Sequence, residues 1–116
     1  MPFLHETTYD INPGQFDAFQ AWLRVNEDDV AASYPEGAEY IGTFASVFGD
    51  RSRGGYRTLV KLQTYGMLDT IAEEVAKEGA LARLLWEMSA FTVAGSLSRG
   101  RTELWKRAQF KVATGD

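Results

Sequence analysis

The sequence predicts an α+β fold in the order βαββαβ: a four-stranded antiparallel sheet with two helices on one face. Three observations carry that expectation. Alternating segments rich in β-branched and aromatic residues open the chain, recur as a pair in its middle and return near its end. Two stretches of helical periodicity separate them. Clusters of Pro, Gly and Asn mark the joins.

The first strand is expected over Phe3 to Ile11, with Phe3, His5, Thr7, Tyr9 and Ile11 on one side and Leu4, Glu6, Thr8 and Asp10 on the other. Asn12-Pro13-Gly14-Gln15 ends it and suits a helix start, with Asn12 as the N-cap and Pro13 in the first turn. The first helix then runs to about Ser33 on an apolar stripe of Phe16, Phe19, Leu23 and Val30, which Glu27 interrupts. Pro35 and Gly37 close it. Strands are expected at Ala38 to Phe48 and Tyr56 to Thr64, joined by the polar glycine-rich hairpin loop of residues 49–55. A helical stretch begins near Met67, breaks at Gly79 and continues on Leu81, Leu84, Leu85, Met88 and Phe91. Residues 95–100 read as loop, Arg101 to Phe110 as the fourth strand, and 111–116 as a frayed tail after one domain over 1–110. This is the split βαβ, or ferredoxin-like, plan.

Composition excludes several classes. The chain has 116 residues, no cysteine and one histidine, so disulfides, Cys-based zinc sites and a metal site built from protein ligands are not expected, and no cofactor is implied. No run reaches the roughly 20 apolar residues of a membrane span. The opening residues lack the basic and long apolar regions of a signal peptide, so a cytoplasmic protein is expected. Net charge is −4 and uneven: the first 50 residues hold Arg24 as their one basic residue against nine acidic ones. Interleaving of strands from the two halves accounts for that asymmetry better than an anion-binding surface at Arg51, Arg53, Arg99 and Arg101. An acidic chain with no dense basic stripe is not expected to bind nucleic acid. Glu27-Asp28-Asp29 reads as solvated helix surface, and Trp22, Trp86 and Trp105 as packing residues.

Burying Glu6 and Asp10 beneath apolar helices is costly, so the Phe3, His5, Thr7, Tyr9 face is expected to meet the helices together with Thr58, Val60 and Leu62 of the third strand. Glu6 and Asp10 then share the uncovered face with Arg57 and Lys61, and Tyr40, Phe44 and Phe48 add aromatic surface if they share that side. Such a face suits a homodimer. On the covered side His5, Thr7, Tyr9 and Thr58 put polar groups into an apolar layer and can line a cavity, with Phe19 and Leu23 as its apolar wall. His5 is the candidate catalytic acid or base and Tyr9 the candidate hydrogen-bond donor to a developing oxyanion; Thr7 and Thr58 would orient a ligand.

The chain resembles the dimeric α/β-barrel superfamily, and within it NIPSNAP-type and stress-responsive barrel domains. The resemblance lies in the element order and in Tyr9-Asp10-Ile11-Asn12-Pro13-Gly14-Gln15-Phe16, which is similar to the Tyr-x-aliphatic-x-Pro-Gly junction of NIPSNAP domains. Those domains often carry an arginine two residues before the tyrosine, where this chain has Thr7. His5 falls where some stress-responsive barrel domains place a cavity-facing histidine. The resemblance implies a homodimer with sheets packed face to face and a small-molecule cavity in each subunit. The leading expectation is a small-molecule-binding homodimer of undetermined activity; as an enzyme it would carry out cofactor-independent proton-transfer, cyclase or oxygenase chemistry on an aromatic or polyketide-like compound. The alternative is a non-catalytic dimerisation or sensing module with a filled cavity.

Overall fold

The computed structural model describes residues 2–47, 55–96 and 99–104. Within them lie β1 (Phe3–Tyr9), α1 (Phe16–Ser33), β2 (Ala38–Ala45), β3 (Tyr56–Leu62), α2 (Met67–Ala76), α3 (Ala80–Ser89) and β4 (Arg99–Leu104). The strands form one antiparallel sheet in the order β2-β3-β1-β4, which is the ferredoxin-like arrangement. The second helical stretch breaks at Gly79, as its sequence suggests, into α2 and α3. Among the described residues no helix is long and apolar enough to cross a membrane.

Several boundaries differ from the sequence reading. β1 stops at Tyr9, and Ile11 forms an isolated bridge with Thr92 instead of continuing the strand. Asn12 is not the N-cap. Its backbone N–H donates to Phe91 O at 2.9 Å and its Nδ2 to Thr92 O at 3.1 Å, so its polar groups tie down the chain leaving α3. Helix α1 begins three residues beyond Pro13, with Gln15 at the N-cap position. β4 starts at Arg99, two residues earlier than expected, and pairs with β1 from Thr8↔Arg99 to Phe3↔Leu104. The expected ends of strands two and four (Phe48, 105–110), the hairpin loop with Arg51 and Arg53, and the tail 111–116 lie outside the described residues.

The register alternates the two faces of β1 as the carboxylates demand. Glu6 stands on the side away from the helices, opposite Leu59 of β3 and Arg101 of β4, and its carboxylate accepts from Arg57 Nη1 at 3.3 Å. The one carboxylate of β1 thus pairs with an arginine from the second half of the chain. Asp10 departs from the expected pattern. It lies past the strand end, where its Oδ1 accepts from the Gly55 N–H at 2.9 Å and its own N–H donates to Ser96 Oγ at 3.2 Å. It joins the segments beyond the strand ends.

β2 holds the main irregularity. Tyr40 pairs with Val60 and Gly42 with Leu59, so Ile41 is an extra residue, a β-bulge. The bulge breaks the expected set of Tyr40 and Phe44 on one face. Tyr40 and Thr43 turn toward the helices, while Phe44 stays on the open face, where Arg57 lies over its ring at 6.0 Å. Gly42 makes room for that ring, since a Cβ there would stand 3.0 Å from Phe44 Cζ.

The aromatic part of the core gathers at one end of the covered face, while Val30, Leu62, Leu81 and Leu84 are fully buried apart from it. Phe19 of α1 is fully buried and meets Tyr9 edge-on at a centroid distance of 6.3 Å, Tyr56 at 5.3 Å and Phe91 at 5.5 Å. Leu23, Ile11 and Met88 complete this cluster, with Trp22, Leu85 and Phe91 packed around it. Trp22 is fixed by its Nε1–H, which donates to Glu87 Oε1 of α3 at 3.1 Å. Helix α2 is different: none of its residues is fully buried. The packing is dense beneath α1 and thin beneath α2.

Candidate functional site

The thin packing leaves a cavity of about 250 Å³ between the sheet and the helices. Its floor is His5, Thr7 and Tyr9 of β1 with Thr58 and Val60 of β3. These are alternate positions on adjacent strands, so strand periodicity itself points them the same way. Leu68 and Ile71 of α2 and Leu85 and Met88 of α3 form the apolar roof, while Tyr34, Ser89 and Thr92 close the sides. The volume falls just below the range of small-molecule pockets, roughly 300–1,000 Å³. It exceeds the cavity of about 150 Å³ that accepts benzene in an engineered apolar core.

Four sequence candidates, His5, Thr7, Tyr9 and Thr58, are therefore brought together on the floor. Phe19 and Leu23 are not at the wall. Both are consumed in the aromatic cluster on the far side of Tyr9, because α1 packs over that end of the sheet. The wall comes instead from α2 and α3. Leu68 and Ile71, like Leu85 and Met88, fall at helical spacing, but periodicity says only that they face inward, not that they stop short of close packing.

The polar side chains are already linked. His5 Nδ1 lies 2.7 Å from Thr102 Oγ1 of β4, and its Nε2 lies 3.4 Å from Thr7 Oγ1. Burial pushes the His5 pKa below its ordinary value, which favours the neutral imidazole. A neutral imidazole keeps one ring nitrogen able to accept a proton. Burial likewise raises the Tyr9 phenol to about 12, only partly opposed by its hydrogen-bond contacts with threonine hydroxyls, so Tyr9 keeps its proton at neutral pH. The Tyr34 phenol is pushed up to about 12 for the same reason.

Tyr9 also begins a run of hydroxyl contacts that sequence reasoning missed. Its OH lies 2.8 Å from Thr58 Oγ1, which lies 3.0 Å from Thr43 Oγ1, which lies 2.7 Å from the Tyr40 OH. Tyr40 OH donates to Glu27 Oε2 of α1 at 2.7 Å. The one available sequence signal was Glu27 itself, a carboxylate interrupting the apolar stripe of α1. Among the described residues no cluster of His, Asp and Glu converges as a metal site requires.

No family model and no curated protein matches this sequence. Solved structures do. A NIPSNAP family protein from Agrobacterium tumefaciens superposes with a TM-score of 0.62 at 12% identity, covering 88% of this chain and 82% of that one. The chain has a NIPSNAP-type ferredoxin-like fold. HapK from Hahella chejuensis shares it with a TM-score of 0.63 at 12% identity over 90% of this chain and 91% of its own. A protein from Jannaschia sp. CCS1, described as dimeric, ferredoxin-like and of unknown function, superposes at 0.54 with 15% identity over 88% and 95% of the two chains. The NIPSNAP-type likeness expected from the residues 9–16 junction therefore extends over the whole fold, and at these identities it concerns architecture alone.

Proposed function

We propose that this chain binds a compact, mostly apolar ring compound in the cavity above His5, and that it does so as a homodimer paired through the open sheet face. The observation that carries the ligand reading is the conjunction of an apolar roof with His5, Thr7, Tyr9 and Thr58 on one floor. A layer meant only for packing would close over those four polar side chains. The size suits one or two fused rings. Where chemistry follows binding, the groups support cofactor-independent proton transfer: a neutral His5 takes a proton from an acidic C–H or O–H of an aromatic or polyketide-like compound. A non-catalytic sensor would use the same cavity without turnover.

The dimer reading rests on the open face, where Phe44 is 42% exposed and Leu4 and Leu59 lie beside the Glu6–Arg57 pair. The Jannaschia protein of the same fold is described as dimeric.

His5 is the sole histidine, so its imidazole resonances report on the cavity without ambiguity. Titration with a library of one- and two-ring aromatic fragments is expected to shift them saturably, and Val60→Phe, which fills the floor beside His5, is expected to abolish the response. A library that leaves the His5 resonances unmoved would overturn the ligand reading.

A further inference from the structure

The contacts running from Tyr9 to Glu27 have a direction. A hydroxyl has one proton and a carboxylate accepts without donating. Tyr40 gives its proton to Glu27, so its contact with Thr43 is satisfied only if Thr43 donates to the Tyr40 oxygen. Thr43 has then used its proton, so Thr58 donates to Thr43, and Tyr9 in turn donates to Thr58. Every bond in the series points away from the cavity. Tyr9, which belongs to the cavity floor, is left with its oxygen lone pair as the group it can offer. Two further hydroxyls of the lining are spent in the same sense: Ser89 Oγ donates to Trp86 O and Thr92 Oγ1 to Ser89 O, both at 2.7 Å.

We propose that Glu27 is a positioning residue that fixes the direction of the four hydrogen bonds through Tyr40, Thr43, Thr58 and Tyr9. Tyr9 thereby meets the cavity as a hydrogen-bond acceptor, and the site selects ring compounds that carry an N–H or O–H donor. The role expected for Tyr9 from sequence, donation to an oxyanion, is reversed by a carboxylate four bonds away. This inference rests on the ligand reading for its selectivity, but the polarity of the bonds stands independently of any ligand.

The test uses two isosteric probes, indole with an N–H and benzofuran with an ether oxygen in its place, and the Tyr9 ¹³Cζ resonance in the ligand-free protein. Thr43→Val interrupts the series without altering the cavity lining and frees either the Tyr9 or the Thr58 proton to point inward. Glu27→Gln replaces the carboxylate by an amide that can donate to Tyr40 as well as accept. Asp28→Asn, at an exposed neighbouring position, is the control. The native chain is expected to prefer indole by about three- to tenfold, the value of one net hydrogen bond. Thr43→Val is expected to bring the preference below about twofold while retaining benzofuran. Tyr34 is unaltered in every variant, so its hydroxyl cancels from the comparison. The Tyr9 resonance is expected to move in Glu27→Gln and Thr43→Val and to stay in place in Asp28→Asn. A Tyr9 resonance indifferent to Glu27→Gln overturns the proposal, as does a native preference for benzofuran. If neither probe binds while the Tyr9 resonance follows Glu27, the polarity is sustained and the ligand reading fails instead.

Discussion

Tyr40 and Thr43 stand on the same face of β2 although three positions separate them, and their hydroxyls meet at 2.7 Å. A regular strand puts residues i and i+3 on opposite faces. The extra residue at Ile41 corrects the parity and so connects the sheet to Glu27 on α1. Tyr40→Phe removes the hydroxyl that bridges Thr43 and Glu27 and leaves both partners in place. Loss of two hydrogen bonds on a half-buried residue is expected to cost about 1–2 kcal/mol. Urea unfolding should show a lower midpoint with an unchanged slope; an unaltered midpoint would mean that water replaces Tyr40 without loss.

His5 makes stability depend on pH. Its pKa is lowered in the folded chain from the ordinary 6.5, so below that value the unfolded chain binds the proton more readily than the folded one. The contribution of His5 is therefore complete above pH 6.5 and is lost as pH falls from there toward the folded-state pKa. His5→Gln, which has no titrating group, is expected to flatten the slope of unfolding free energy in that window relative to the native chain. Carboxylates titrating lower act on both chains alike and drop out of the difference. Parallel slopes for the two proteins would show that the imidazole titrates as it does in water.

Glu78 follows the C-cap of α2 with φ of +56°, in the left-handed region where glycine is usual. Its backbone N–H donates to Val75 O at 3.1 Å, which closes the helix and holds the strained geometry in place. Glu78→Gly is expected to stabilise the chain by about 0.5–1 kcal/mol, because glycine adopts that conformation without steric cost. Thermal unfolding checks the sign: a lower midpoint would mean that the added freedom of the unfolded chain outweighs the relief of strain.

What the sequence disclosed followed periodicity closely. The inward set of β1, the break at Gly79 and the Phe19, Leu23 and Val30 stripe of α1 are consequences of strand and helix repeats and are present, while Phe16, expected in the same stripe, is 49% exposed at the start of the helix. The departures occur where one residue answers to a non-local partner. Asn12 has an N-cap's chemistry but is recruited by Phe91 and Thr92, far along the chain. Tyr40 has an outward parity until a bulge reverses it. Phe19 and Leu23 were legible as buried residues but not as belonging to the core end of the sheet, since nothing local tells a helix which end it will cover. That distinction has a measurable consequence. Phe19→Ala is expected to cost about 3–5 kcal/mol of stability. Leu68→Ala, on the half-buried α2, should cost much less and widen the cavity roof. Comparable losses from the two would place Phe19 and Leu68 in equally tight surroundings and contradict the division into packed and open ends.

The open sheet face yields the last prediction. Phe44 projects there, and Arg57, 54% exposed, reaches both its ring and the Glu6 carboxylate, whose side chain is 12% exposed. On a sheet face that no described helix covers, a buried carboxylate is held by its arginine, and covering the face with a second copy would exclude water from that pair and raise its dependence on geometry. In the proposed dimer Phe44 supplies apolar area near the pair. Phe44→Asp introduces a second carboxylate beside Arg57, competes with Glu6 for it and repels its counterpart across a two-fold interface. Light scattering at micromolar concentration is expected to give twice the chain mass for the native protein and the chain mass for Phe44→Asp, with the far-ultraviolet circular dichroism of both alike. A native protein that is monomeric under those conditions would end the dimer proposal, and a Phe44→Asp chain that stays paired would move the interface off this face.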